Sequence, residues 1–260
     1  MSGGHAAALY RPGDTPAHRL PAHCKLVAVF AFVLVVATTP REELWAFAVY
    51  AVLLGAVAAV ARIPAGFIVR RALVEAPFVL FAVALPFLSS GPATVVAGVS
   101  LSVSGLFGAF NILAKATLGV VAAVLLSATT PIGDVLSGMA RLRIPPTFVM
   151  IASFMVRYVA VVSGELARMR LAMASRGLHS RSPRRLAAAA GTAGALFVRT
   201  YERGERVYVA MLSRGYAGGP TAPTGGAASP GAWARALVLP GSALLVGAAA
   251  WTLRLRGGAA

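Results

Sequence analysis

From Leu44 to Ala61 the chain runs for 18 residues without a charged side chain, and from Gly105 to Thr129 its only charge is Lys115. A helix of about 20 apolar residues, at about 1.5 Å each, crosses the roughly 30 Å hydrocarbon core of a bilayer. In lipid every backbone N–H and C=O must find its partner within the segment, so such runs fold as helices. Three more runs have the same character. Lys25 to Thr39 reaches spanning length only from about Leu20, Leu73 to Ser89 carries only Glu75, and Ala236 to Leu253 has no charge. Charged residues make up 12% of the 260, half the roughly 25% of a soluble domain. The expected fold class is therefore all-α: a polytopic membrane helical bundle of about five spans, with an inserted cytoplasmic domain of about three helices.

Several function classes fall away on composition. The single Cys24 excludes an internal disulfide and any multi-cysteine metal site. The net charge of +16 could point to nucleic acid. However, 13 of the 24 Lys/Arg lie between Pro131 and Tyr216, against four acids, and no aromatic residues interleave with them as in a base-stacking surface. In a membrane protein, clustered basic residues mark cytoplasmic loops instead. The first 24 residues are polar and lack the apolar core and small-residue cleavage site of a signal peptide, so no cleaved leader is expected.

The same rule sets the expected topology. Arg11, Arg19 and Lys25 favour a cytoplasmic start. Arg62, Arg70 and Arg71 then fall inside after two spans, and the uncharged loop from Ser90 to Ser104 falls outside. Four spans bring Pro131 inside. A sixth apolar stretch, Thr147 to Ser163, contains Arg157 near its middle, which costs about 2.5 kcal/mol or more in a spanning helix. Crossing there would also export the arginine-rich region that follows. This stretch therefore reads as a cytoplasmic helix, as does Leu186 to Val198, which runs into Arg199.

The expected organisation is residues 1–130 as four spans with a cytoplasmic N-terminal segment, 131–216 as cytoplasmic helices, 217–234 as a flexible linker, and 235–260 as the last span, with an external C-terminus. Helix ends are readable. Thr130 and Pro131 open a short helix to about Arg141. Pro145-Pro146 opens a second, closed by Gly177, and Ser182-Pro183 a third, closed by Gly215. Gly218 to Gly231 has linker composition.

Within the cytoplasmic domain one string occurs twice, 38 residues apart. The shared core is Arg-x-x-x-Ala-Met-x-Ser-Arg-Gly, from Arg168 to Gly177 and again from Arg206 to Gly215. On a helix Arg168, Ala172 and Arg176 share a face, as do Arg206, Ala210 and Arg214. The small Ala permits close approach by a partner. Arg176 and Arg214 fall in the last turn, where the helix dipole favours a cation and a planar guanidinium suits bidentate capture of a carboxylate. Two such ends form a matched pair of connectors, the geometry expected for docking on two related subunits.

These residues carry a resemblance. The chain resembles the transmembrane T component of energy-coupling-factor (ECF) transporters, the cobalt-transport CbiQ/EcfT type. The likeness covers His18-Arg19-Leu20-Pro21 with Lys25-Leu26, Thr129-Thr130-Pro131 with Asp134-Val135-Leu136, Leu142-x-x-Pro145, Arg157-Tyr158 and the two Ser-Arg-Gly motifs. The family motif is usually Ala-Arg-Gly; Ser175 and Ser213 replace its first residue here, and a hydroxyl at that place could make a local backbone bond. The resemblance implies a coupling subunit in the cell membrane. Two ABC-type ATPase subunits would be gripped by Ser175, Arg176, Gly177, Ser213, Arg214 and Gly215, with Ala172 and Ala210 alongside. A substrate-binding membrane (S) subunit would be the third partner, and the lipid bilayer the fourth. It implies no cofactor on this chain, with ATP bound by the ATPases, and cobalt as cargo; nickel or a vitamin such as biotin is the alternative.

Other polar residues offer little further chemistry. Lys115 lies mid-span and is a candidate intramembrane functional residue, against snorkelling or bonding to backbone carbonyls. His5, His18, His23 and His179 match no metal-ligand spacing. Glu165, Glu202 and Glu205 are expected to pair with arginines three or four residues away on their own helices. No Walker-type phosphate loop and no catalytic constellation is present. A membrane enzyme or an ordinary permease is the competing class, and both lack the polar residues they would need.

Overall fold

A computed structural model describes residues 10–88, 93–96, 99–177, 183–216 and 228–257. They fall into two compact units, one of residues 10–138 with 228–257 and the other of 139–177 with 183–216. The first division, at Gly138, stands later in the chain than the 130 read from the sequence. Ser182 and most of the linker at 217–234 lie outside the described residues.

The first unit is a bundle. A short α1 (Pro16–Arg19) leads to α2 (Ala22–Thr38), α3 (Leu44–Val60) and α4 (Ala65–Ala72). A 3₁₀ turn (Leu73–Glu75) then opens α5 (Ala76–Leu88). The strands β1 (Ala93–Val96) and β2 (Val99–Ser102) pair antiparallel, with Ala93 opposite Ser102. This hairpin is the one described departure from an all-helical chain. Its Thr-Val-Val and Val-Ser-Leu strings favour the pleat through their β-branched residues. Helix α6 (Val103–Thr129) follows, capped by Ser102 Oγ, which accepts from Gly105 N at 3.4 Å. Then come α7 (Ile132–Arg141) and, at the end of the chain, α10 (Pro230–Gly257).

Prolines set several of these boundaries. α2 stops before Pro40 and α6 before Pro131, because a residue preceding proline is disfavoured in the helical region, while α3 ends where Arg62 turns left-handed (φ +54°) and Ile63 N donates back to Ala58 O at 3.0 Å. Gly105–Thr129, Pro146–Ser175 and Pro230–Arg256 are long and apolar enough to cross a membrane, while Ala22–Thr38 and Leu44–Val60 are shorter apolar helices. The run read as Leu73 to Ser89 is broken by the 3₁₀ turn, so its helix has 13 residues.

Small residues let these helices approach. Ala46, Ala122, Ala128, Ala243 and Ala250 are almost wholly buried, as expected where apolar burial alone gives lipid-bathed helices no drive to associate. Around them sit Phe32, Phe47 and Tyr50, edge-to-face at 5.9 and 6.3 Å between ring centroids. Tyr50 is fully buried, so its hydroxyl needs a partner. Thr39 Oγ1 donates to Val35 O at 2.9 Å, and Tyr50 reaches Thr39 Oγ1 at 3.0 Å.

At one end of the bundle the sequence ahead of α2 folds into a strap. His18 Nε2 donates to Arg11 O at 3.1 Å, which leaves Nδ1 to accept from Thr15 Oγ1 at 2.7 Å. Arg11 N donates to Ala128 O at 3.0 Å, joining the strap to the last turn of α6. Arg19 holds Asp14 by two bonds of 2.6 Å, and these keep the Asp14 carboxyl below the usual carboxylate range.

Candidate functional site

The second unit contains α8 (Pro146–Ser175) and α9 (Pro183–Leu212), each of 30 residues and each opened by a proline. Proline is favoured at the first helical position because its missing N–H would be unpaired there anyway. The two helices run antiparallel. Tyr216 Oη reaches Met150 Sδ, Arg199 bonds Glu165, and Thr192 Oγ1 reaches Met173 Sδ. Late residues of one helix thus face early residues of the other throughout.

The Glu165 contact departs from expectation. Instead of pairing within its own helix, Glu165 accepts from Arg199 Nη1 at 3.0 Å and Arg203 Nη2 at 3.5 Å, both on α9. The two arginines are four residues apart, so they share the face that the antiparallel arrangement turns toward α8. Glu202 does pair within its helix, with Arg206 at 3.8 Å. The Glu165 side chain is 12% exposed, the arginines 61% and 40%, so water screens the pairs on one side. Glu165→Gln is expected to lower the unfolding midpoint by about 2–4 °C, the equivalent of about 1 kcal/mol, in a thermal-shift measurement.

The repeated strings close the two helices. Gly177 (φ +76°) and Gly215 (φ +81°) adopt the left-handed conformation that ends a helix and that a Cβ disfavours. Gly177 N donates to Ala174 O and Gly215 N to Leu212 O, each at 3.0 Å. Ser175 Oγ donates to Leu171 O and Ala172 O at 3.1 Å, and Ser213 Oγ to Ala210 O at 3.0 Å. Both hydroxyls are thus satisfied by their own helix, leaving the outer surface much as alanine would. Arg176 and Arg214 are exposed, and among the described residues neither guanidinium has a hydrogen-bond or ion-pair partner. Ala172 and Ala210 are exposed too. Ala172 and Arg176 line an open cleft of about 350 Å³ with Met169, Met173, Ala188 and Gly191.

The antiparallel arrangement places the tips at opposite ends of the helix pair. Arg176 stands level with about residue 189 of α9, so some 25 residues, roughly 38 Å of helix, separate it from Arg214 along the axis.

Lys115, the remaining sequence candidate, points at backbone. Its Nζ donates to Ala37 O at 2.8 Å, in the last turn of α2. Lys25 stands in the sequence as one of the basic N-terminal residues and within the family-like motif. It is 8% exposed and donates to His18 O, Thr129 O and Thr130 Oγ1 at 3.2, 3.0 and 3.1 Å. A signal was available: the 24 basic residues include only two lysines, Lys25 and Lys115. Among the described residues no three His, Cys, Asp or Glu side chains gather where they could hold a metal.

Apolar helices of spanning length and an arginine-tipped helix pair define a class, the helical membrane protein whose polar chemistry is concentrated at helix ends. The profile of the cobalt transport protein family CbiQ matches residues 13–224, and the chain belongs to that family. The energy-coupling factor transporter transmembrane protein EcfT of Bacillus selenitireducens is 28% identical over 224 residues, 81% of this chain and 83% of that one. The cobalt transport protein CbiQ of Rhodobacter capsulatus is 28% identical over 158 residues, covering 61% and 63%. A putative fused cobalt transport protein CbiMQ of Methanocorpusculum labreanum is 32% identical over 107 residues, 41% of this chain. The chain spans 18% of that fused relative's length.

Proposed function

We propose that this chain is the transmembrane coupling subunit of an ATP-driven ECF-type importer, taking up cobalt. Arg176 and Arg214 dock on two ABC-type ATPases, and the bundle carries their motion to a substrate-binding membrane subunit. The observation that carries this reading is the placement of two exposed, matched guanidinium tips about 38 Å apart along an antiparallel helix pair. That separation suits two copies of one partner better than a single groove. Each tip ends a helix and presents a rigid fork for a carboxylate. ATP is bound by the partners; this chain carries no phosphate loop.

The α8–α9 pair is assigned to the cytoplasmic side. Pro146–Ser175 has the length and apolarity of a span, so those properties do not distinguish the two placements. Charge does: Arg157 interrupts the apolar run, and crossing would export the basic residues that follow.

The test is reconstitution of the chain in proteoliposomes with its ATPases and substrate-binding subunit. ATP-dependent radiocobalt uptake is the expected result. Uptake of labelled nickel or biotin in place of cobalt would reassign the cargo. Uptake by this chain without the ATPases would contradict the coupling role.

A further inference from the structure

The two lysines form a reciprocal pattern. α2 and α6 run antiparallel: Lys25, near the start of α2, meets the end of α6, while Lys115 of α6 meets the end of α2. Each helix therefore places an ammonium on the C-terminal carbonyls of the other, where the helix dipole favours a cation. An ammonium suits this place, since it is a compact charge with three donors; a guanidinium is a wider planar fork. Elsewhere the chain uses arginine for all its basic residues.

Lys25 does more than cap. Its three donors have three different acceptors: the carbonyl of His18 in the strap, the carbonyl of Thr129 at the end of α6, and the hydroxyl of Thr130 in the turn to α7. Asp134, in the first turn of α7, adds electrostatic attraction. α7 is held at a second point, where Gly138 lies so close to the start of α2 that a Cβ there would stand 2.9 Å from His23 N. The compact bundle ends at Gly138, inside α7, and the second unit begins with Met139. The stretch clamped by Lys25 is thus the stretch where the chain leaves the bundle for the arginine-tipped helices.

We infer that Lys25 is a positioning residue, tying the strap, the start of α2, the end of α6 and the start of α7 into one joint through which movement of the coupling helices reaches the bundle. This rests on the coupling function proposed above. The joint itself can be tested without it.

The experiment uses the full chain in nanodiscs, alone and assembled with its ATPases and substrate-binding subunit. Hydrogen–deuterium exchange reads residues 126–138, and cobalt uptake per ATP hydrolysed reads transmission. Lys25→Met is expected to speed exchange there about tenfold, the scale of a lost charge-assisted hydrogen bond. It should lower uptake per ATP by about tenfold as well, while the ATPases stay bound. Lys25→Arg should not restore either value. Should Lys25→Met fail to fold, Thr130→Val, which removes one acceptor and keeps the charge, is expected to speed exchange about threefold. Unchanged exchange in these variants overturns the joint, and wild-type behaviour of Lys25→Arg overturns the need for an ammonium. Faster exchange with unchanged uptake per ATP overturns the transmission role. If the unmodified chain binds no ATPase, the coupling function falls and the transmission role with it, while exchange still decides the joint.

Discussion

Reversing both helix tips, Arg176→Glu with Arg214→Glu, is expected to detach the ATPases and reduce ATP-driven uptake to background. The proposed partners of the tips are carboxylates. Breaking a buried, hydrogen-bonded charge pair at an interface costs about 2 kcal/mol or more per pair. Each ATPase loses the pair at its own tip, weakening its association by more than one decade, and reversal adds repulsion that truncation to alanine would lack. Each single reversal should leave one ATPase attached, because the tips lie at opposite ends of the antiparallel pair. Quantitative co-purification followed by uptake measures both effects. The fold should survive, since both side chains are exposed and neither guanidinium has a hydrogen-bond or ion-pair partner among the described residues.

Gly138→Val is expected to be the most damaging single substitution in the bundle. An added Cβ would lie 2.9 Å from His23 N and 3.2 Å from Ala22 C, both backbone atoms. Backbone cannot rotate away as a side-chain tip can, so α7 must shift off α2. Overpacking at a rigid site costs up to about 3 kcal/mol, equivalent to a fall in unfolding midpoint of about 10 °C. Gly133, in the same helix, has nothing within 4 Å of the corresponding position. Gly133→Ala should therefore be neutral or slightly stabilising, since alanine is the better helix former. The contrast between the two variants in one thermal-shift series separates close packing from helix propensity.

Much of this structure was legible in the sequence, for identifiable reasons. The ends of α8 and α9 follow from Pro146, Pro183, Gly177 and Gly215, because these residue types act on the local backbone whatever surrounds them. The two arginine tips were found for the same reason, through a repeated string with a helix-ending glycine. What the sequence left open was long-range. Nothing local shows that α8 and α9 are antiparallel, so neither the separation of the tips nor the pairing of Glu165 with Arg199 and Arg203 could be read. The hairpin at Ala93–Ser102 was hidden within an uncharged loop, since short β-branched strings are ambiguous without their partner strand. The 3₁₀ turn at Leu73–Glu75 split a run that hydropathy alone reads as continuous. Lys25 was noted as a motif residue, but its three acceptors come from positions 18, 129 and 130, a convergence that only the folded chain reveals.

Photo-crosslinking from the two arginine tips decides whether each meets its own ATPase. A photoreactive residue is placed at 176, at 214, or at both, in the complex assembled in membranes. Each single site is expected to capture one ATPase, and the double variant to yield a species carrying two on one chain. Capture of the substrate-binding subunit alone from either site, or of a single ATPase from both sites together, would contradict this docking.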